Sequence, residues 1–364
     1  MNLSVGSQHS WTHGWDRGLF AAAAGLALIS GAAMASAAST LNPSLATRHM
    51  IWMLIGMLAC LVVASTHYRR WSDFTEIAYG MSLAALVLVL VAGTVRLGAT
   101  RWLSLLGLGV QPSEIAKLTT IWLLARYFAG RPTPLPLHHL MMSLVLVGPP
   151  TLLIFIQPDL GSASVLAAVW LGMVWVAGAS RRALVGLGSG LLGLLPIGWH
   201  LLKDYQRDRL MAFINPHADP LGAGFSIIQS TIAIGSGQLL GRGWFAGTQN
   251  QLNFLPERHA DFIFSVIGEE WGFVGCLAVV MMFGALLFRA LRIASDTSDP
   301  QGRLLATGIF SWLAYQAFVN MGMVMGLLPV VGVPLPLISY GGSSMVTVWI
   351  ALGLLQSIRR TDQE

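Results

Sequence analysis

Asp261 stands at the head of an apolar run, in LPERHADFIFSVIGEEWG (255–272), where an ionised carboxylate is costly unless a cavity, a cation or a substrate meets it. Such a group is read first as a functional site, with the plain alternative that it caps the helix that follows. Glu269 and Glu270 lie about 12 Å and about 13.5 Å further along the same helix at 1.5 Å per residue. Two adjacent carboxylates facing lipid would be too costly, so at least one is expected to turn into the bundle.

Other polar groups cluster in the same way. In RLGATRWLSLLGLGVQPSEIAKL (96–118), which also carries Arg101, Glu114 and Lys117 are three residues apart and share a helix face. They are either a charge pair that holds the helix in place or the lining of a water-filled cavity open to the outside. In FIQPDLGSAS (155–164), Asp159 suits both an N-cap and a cavity wall. Arg207, Arg209 and, later, Arg242 offer planar guanidinium forks suited to phosphate oxygens, or alternatively to anchoring among lipid headgroups. The proline- and glycine-rich stretch GLLPVVGVPLPLISYGGSSM (326–345) puts irregular backbone at membrane depth, which is tolerated only inside protein or along a cavity. Its freed amides and the hydroxyls of Ser339, Tyr340, Ser343 and Ser344 can bond a polar headgroup.

The elements that must hold these groups are membrane helices. Of 364 residues, 55% are hydrophobic and 10% charged, against roughly 25% charged in soluble domains. Ten apolar segments approach spanning length: 18–39, 50–66, 76–94, 112–128, 138–157, 160–178, 183–202, 262–288, 304–328 and 339–358. No barrel-like alternation appears. The expected fold is an all-α integral membrane protein of about ten transmembrane helices, a single polytopic domain over 1–364. A large structured extracytoplasmic loop, 203–260, is expected between helices seven and eight. Within it, 225–240 reads as a helix in or near the outer interface. Ala35, Ser36 and Ala37 after the first span resemble a signal-peptide cleavage site, yet the long leader, with Arg17 offset by Asp16, favours an uncleaved helix.

With the N-terminus inside, twelve arginines fall in inner segments and only Arg48, Arg96 and Arg101 in short outer loops, so both termini are expected in the cytoplasm. The formal net charge of +5 is mostly this bias, and no nucleic-acid partner is read from it. Cys60 and Cys276 lie inside apolar spans and build neither a disulfide framework nor a thiolate metal site. GxxxxGK, HExxH, CxxC and GxSxG motifs are absent, which argues against nucleotide hydrolysis as the energy source.

Taken together, ATRW, QPSEIAK, QPDLGS, LPERHADFIF with GEEWG, and NMGMVMGLLPVVGVPLPLISYGGSS resemble the SEDS family of cell-wall polymerases across nearly the whole chain. GRGWFAGTQNQLNFLPERH (241–259) is closer to the elongation branch of that family than to its division branch. Arg242 stands where a lysine is usual and Ala260 where a threonine is usual. The resemblance implies peptidoglycan glycosyltransfer from lipid II at the outer face of the bacterial cytoplasmic (inner) membrane, with Asp261 matching an essential catalytic aspartate and acting as general base. It implies that Glu114 and Lys117 are cavity residues and that Asp159 is the aspartate of the QPD motif. It also implies a divalent cation, magnesium, an undecaprenyl-linked glycan, the elongation machinery and a class B penicillin-binding protein, a single-pass transpeptidase. Two other readings are a lipid II flippase and a scaffold that only positions the transpeptidase.

Overall fold

A computed structural model describes residues 14–40, 42–96, 99–105 and 108–363. Helices α1 (Arg17–Ser39) and α2 (Ser44–Ser65) lead through the short α3 (Tyr68–Ser72) to α4 (Thr75–Ala92). Three strands follow, β1 (Thr94–Arg96), β2 (Ala99–Leu105) and β3 (Leu108–Val110). Then come α5 (Pro112–Ala129), α6 (Leu137–Ile156), α7 (Leu160–Val176) and α8 (Arg181–Leu201). The next connection holds α9 (Asp204–Ile214), a 3-10 turn at Pro216–Ala218, α10 (Phe225–Gly237) and α11 (Thr248–Gln251). The chain ends with α12 (Ile263–Asp296), α13 (Pro300–Val324) and α14 (Gly342–Thr361).

Six helices among the described residues, α1, α2, α4, α6, α12 and α13, are long and apolar enough to cross a membrane, and the chain is a multi-pass membrane protein. The apolar residues that stay exposed, such as Ile77, Met81 and Val91 of α4, belong on a hydrocarbon surface. Helix α13 is the central post, packing against α5, α7 and α12. Helix α14 lies on α2, while α1 and α10 lie on α12.

One departure from the all-α expectation is the antiparallel sheet β1-β2-β3 between α4 and α5. Its register sets Val95 opposite Thr100 and Leu103 opposite Val110. The runs are too short to announce themselves by alternation.

Helix α12 spans 34 residues, about 51 Å at 1.5 Å each, well beyond a hydrocarbon core of about 30 Å. It is broken at Gly272, whose φ of 66° and ψ of −159° are nearly exclusive to glycine. The bonds lost there are replaced by residues 238–243. The amides of Arg242 and Gly243 donate to the carbonyls of Glu269 and Glu270 at 3.0 Å each. The amides of Phe273 and Val274 donate to Gln238 and Leu239 at 2.8 and 3.1 Å. Before the break, residues Ile263 to Glu270 are all buried; after it, Phe273, Val274, Leu277 and Met281 are exposed. The exposed apolar surface of α12 therefore lies after the break.

A Cβ at Gly272 would stand 2.3 Å from the Gly241 nitrogen. Gly272→Ala is expected to cost at least about 1–3 kcal/mol from backbone strain alone, read as a lower melting midpoint in detergent. An unchanged midpoint would show that the splice tolerates a side chain.

Candidate functional site

The N-termini of α5, α7, α12 and α14 meet at one end of the bundle. The Gln111 amide, just before α5, donates to Ser343 Oγ in the first turn of α14 at 3.0 Å, and the Gln111 side chain reaches Asp159 Oδ2 at 3.4 Å. Helix N-termini carry partial positive charge, so this end favours anions.

Asp159 is both cap and wall. Its Oδ1 accepts from the Ser162 amide at 3.1 Å, capping α7, and stands 3.8 Å from Arg101 Nη1. Arg101 also donates to the carbonyls of Gln157 and Pro158, and the Tyr205 hydroxyl donates to the latter at 2.9 Å. An open cleft follows, lined by Arg101, Pro158, Leu160, Tyr205, Gln206, Arg209, Leu210, Val330 and Val331.

Asp261 adjoins this cleft and is not a helix cap. Phe262 occupies the cap position of α12 without a side-chain bond, which leaves the Asp261 carboxylate free of that duty. Gly332, whose φ of 70° favours glycine, lies beside both groups: a Cβ there would be in ordinary contact, 3.5 Å from Asp261 Oδ2 and 3.9 Å from Arg209 Nη1. Burial pushes the Asp261 carboxyl up to about 6, with Glu257 and Asp159 adding to the rise and Arg209 and Arg101 opposing it. Its backbone is held from the segment 325–341. Asn320 Nδ2 donates to the carbonyls of Asp261 and Val333 at 3.0 and 2.7 Å, Ser339 Oγ donates to Ala260 O at 2.6 Å, and the Tyr340 amide to His259 O at 2.8 Å. Ala260 therefore takes part through its backbone, with its carbonyl accepting from Ser339 and its amide donating to Glu257 O at 2.9 Å.

The remaining residues expected from sequence fall elsewhere. Lys117 Nζ meets Glu114 Oε1 at 2.6 Å in a pair that is fully buried, with the ammonium 5.2 Å from the Trp312 ring; neither residue lines the cleft. Arg207 is turned onto the end of α8, donating to the Trp199 and His200 carbonyls at 3.1 and 3.0 Å. Arg242 donates to Thr248 Oγ1 at 3.2 Å in the connection before α12. Ser344 is buried in the first turn of α14. Glu269 and Glu270 are both buried, not one alone. Arg101, Asp159, Arg209 and Asp261 thus come together, while Glu114, Lys117, Arg207 and Arg242 do not join them. Sequence reasoning missed Tyr205, which faces the cleft, and Asn320, a fully buried amide near the end of α13. The amide was visible as the polar residue opening NMGMVMG.

Among the described residues, no group of three or more His, Cys, Asp or Glu side chains is spaced to hold a metal ion.

Fold and site define a helical multi-pass membrane protein with a carboxylate and guanidinium groups around a cleft at one end. The FtsW/RodA/SpoVE family signature, described as cell cycle protein, matches residues 16–364, and the chain belongs to that family. It is 44% identical over 306 residues to the peptidoglycan glycosyltransferase MrdB of Escherichia coli K12, covering 84% of this chain and 82% of that one. It is 36% identical over 359 residues to the probable peptidoglycan glycosyltransferase FtsW of Haemophilus influenzae, covering 94% and 90%. Among solved structures it superposes with a TM-score of 0.83 and 36% identity on a chain of a peptidoglycan synthase complex that coordinates polymerization and crosslinking, covering 96% and 99%. With the rod shape determining protein RodA of Thermus thermophilus the TM-score is 0.72 at 31% identity, covering 96% and 98%.

Breaking one side of a buried ion pair strands the other charge. Lys117→Met is expected to cost about 3–5 kcal/mol in thermal unfolding, with much of the loss recovered when Glu114→Gln is added. Strictly additive losses would mean that the two groups are not coupled.

Proposed function

We propose that this chain polymerises lipid II into β-1,4-linked glycan strands at the outer face of the bacterial cytoplasmic membrane, with Asp261 as general base. It is a peptidoglycan glycosyltransferase, the activity for which its relatives are named. The observation that carries the role of Asp261 is a carboxyl raised to about 6, unbonded to the helix behind it, beside a cleft lined by arginines. In the proposed step, the 4-hydroxyl of the acceptor sugar attacks the anomeric carbon of a second lipid-linked glycan. A carbon–oxygen bond forms at that carbon, the bond to phosphate breaks, and the hydroxyl proton passes to Asp261 as undecaprenyl pyrophosphate leaves. Configuration inverts, so one base and a stabilised leaving group suffice. Arg101, Arg209 and the gathered helix N-termini oppose the negative charge that develops on pyrophosphate.

A magnesium ion takes one or two protein carboxylates together with substrate phosphate oxygens, and at this cleft Asp261 and Asp159 would be the carboxylates to hold it. Such an ion would supply further neutralisation of the leaving group. The reading includes ten spans with both termini in the cytoplasm, one membrane domain, and 203–260 as its outer loop. A class B penicillin-binding protein is the proposed partner, supported by the synthase complex whose chain this one resembles. The elongation branch is favoured over the division branch by the 241–259 loop and by the 44% identity to MrdB.

A flippase needs a polar path between both faces. The end opposite Asp261 is instead tied by Asp16 with Arg289 at 2.7 Å and Arg69 with Asp299 at 2.9 Å. Polymer formation from lipid II in detergent, where no sidedness exists, separates the two activities.

Asp261→Asn is expected to abolish polymerisation by purified protein with its partner; a normal rate would overturn the base assignment. A base works only when deprotonated, so kcat/KM should climb with pH through about 6 and then level. An acid limb at the ordinary carboxylate value would exclude Asp261 as the titrating base. Because folding raises this pKa, stability falls as pH climbs from the ordinary range through about 6, so Asp261→Asn should melt no lower than wild type at neutral pH.

A further inference from the structure

Glu269 and Glu270 take no part in the reaction scheme, yet they are two adjacent buried carboxylates, and that arrangement is costly without dedicated donors. Their donors come from far away in the chain. Gly247 opens the turn 248–251 and has no side chain to cap it, and Glu269 supplies the missing acceptor. Its Oε1 accepts from the Gln249 amide at 2.8 Å and from the Thr248 hydroxyl at 3.1 Å, and its Oε2 accepts from the Asn250 amide at 3.2 Å. A Cβ on Gly247 would stand 2.7 Å from that Oε2, which explains glycine in the GTQ triplet. Glu270 Oε1 accepts from Ser36 Oγ at 2.5 Å and Asn250 Nδ2 at 3.0 Å, and Oε2 accepts from the Phe245 amide at 3.3 Å.

Asn250 passes the constraint on. Its carbonyl accepts from the Arg258 guanidinium, which also donates to Ala37 O at 3.0 Å and Thr40 Oγ1 at 2.5 Å and is only 1% exposed. Arg258 lies three residues before Asp261. The base segment is thus gripped from two sides, by Asn320, Ser339 and Tyr340 on one and by Arg258 on the other.

We infer that Glu269 and Glu270 are positioning residues for the glycosyl transfer, fixing through Asn250 and Arg258 the segment that carries Asp261. The inference rests on the reading of Asp261 as base. Carboxylates hold backbone amides more tightly than neutral acceptors do, and about 1 Å of misplacement at a reacting group can cost about 10²-fold in rate.

The test uses the purified protein with its transpeptidase partner, lipid II as substrate, and wild type and Asp261→Asn as controls. Glu269→Gln should lower kcat at least about tenfold, the factor carried by one charge-assisted hydrogen bond, while KM stays in place. In the same protein the Gln249 and Asn250 amides should exchange hydrogen at least about tenfold faster than in wild type. Thr248→Val, which removes the hydroxyl shared by Glu269 and Arg242 but leaves the Gln249 and Asn250 amides on Glu269, should give a smaller loss in the same direction, and it carries the test if Glu269→Gln does not accumulate. The inference is overturned by a wild-type kcat in Glu269→Gln, by faster exchange with no change in kcat, or by a loss that only tracks the amount of folded, partner-bound protein. An inactive Asp261→Asn beside an undiminished Glu269→Gln sinks this inference alone. An active Asp261→Asn sinks the base reading and this inference with it.

Discussion

Backbone amides and carbonyls at membrane depth must find partners inside the protein, and helix α12 meets that demand by borrowing a loop. At Gly272 the helix gives up its own ladder, and residues 238–243 supply both the donors and the acceptors it loses. Much of the site follows from that splice. It fixes the loop against α12, which brings the turn at 248–251 onto Glu269. It also leaves Ile263 to Glu270 wholly inside protein, so the carboxylates are shielded from lipid.

The electrostatics of Asp261 are a contest between two features that the fold brings to the same place. Convergent helix N-termini and two arginines favour the ionised carboxylate; exclusion of water disfavours it. Exclusion wins because the stabilising groups are partly engaged elsewhere. Arg101 is turned onto the Gln157 and Pro158 carbonyls and onto Asp159, and the first-turn amides of α12 are not bonded by Asp261. Asp159 has a different setting: it caps α7 and faces Arg101.

Much of this was legible in sequence. The helix positions followed from apolar length, and Asp261, Asp159 and the Glu269–Glu270 pair drew notice as acids in apolar surroundings. Glu114 and Lys117 were legible as partners from their spacing, but their closure beneath Trp312 was not, because that ring comes from α13. Asp261 as cap or base turned on a register of one residue: Phe262 holds the cap position, and no pattern in the segment announces that. The strands β1–β3 are too brief for periodicity. The donors to Glu270 were hidden by distance in the chain, since Ser36 lies 234 residues away.

Helix α1 shows why those distant contacts matter. It is tied to α12 at both ends, by Asp16 with Arg289 at 2.7 Å and by Ser36 with Glu270 at 2.5 Å. Two of the residues that resemble a cleavage site are therefore structural contacts, Ser36 of Glu270 and Ala37 of Arg258. An acid built into the first turn of α12 would be held rigidly but would bond the free amides there, and those bonds lower its basicity. Placed one residue ahead of the cap position, Asp261 escapes them but loses the helix as its support. The grip of Arg258 on one side and of Asn320 and Ser339 on the other restores that support through backbone bonds, which leave the carboxylate itself free to take a proton.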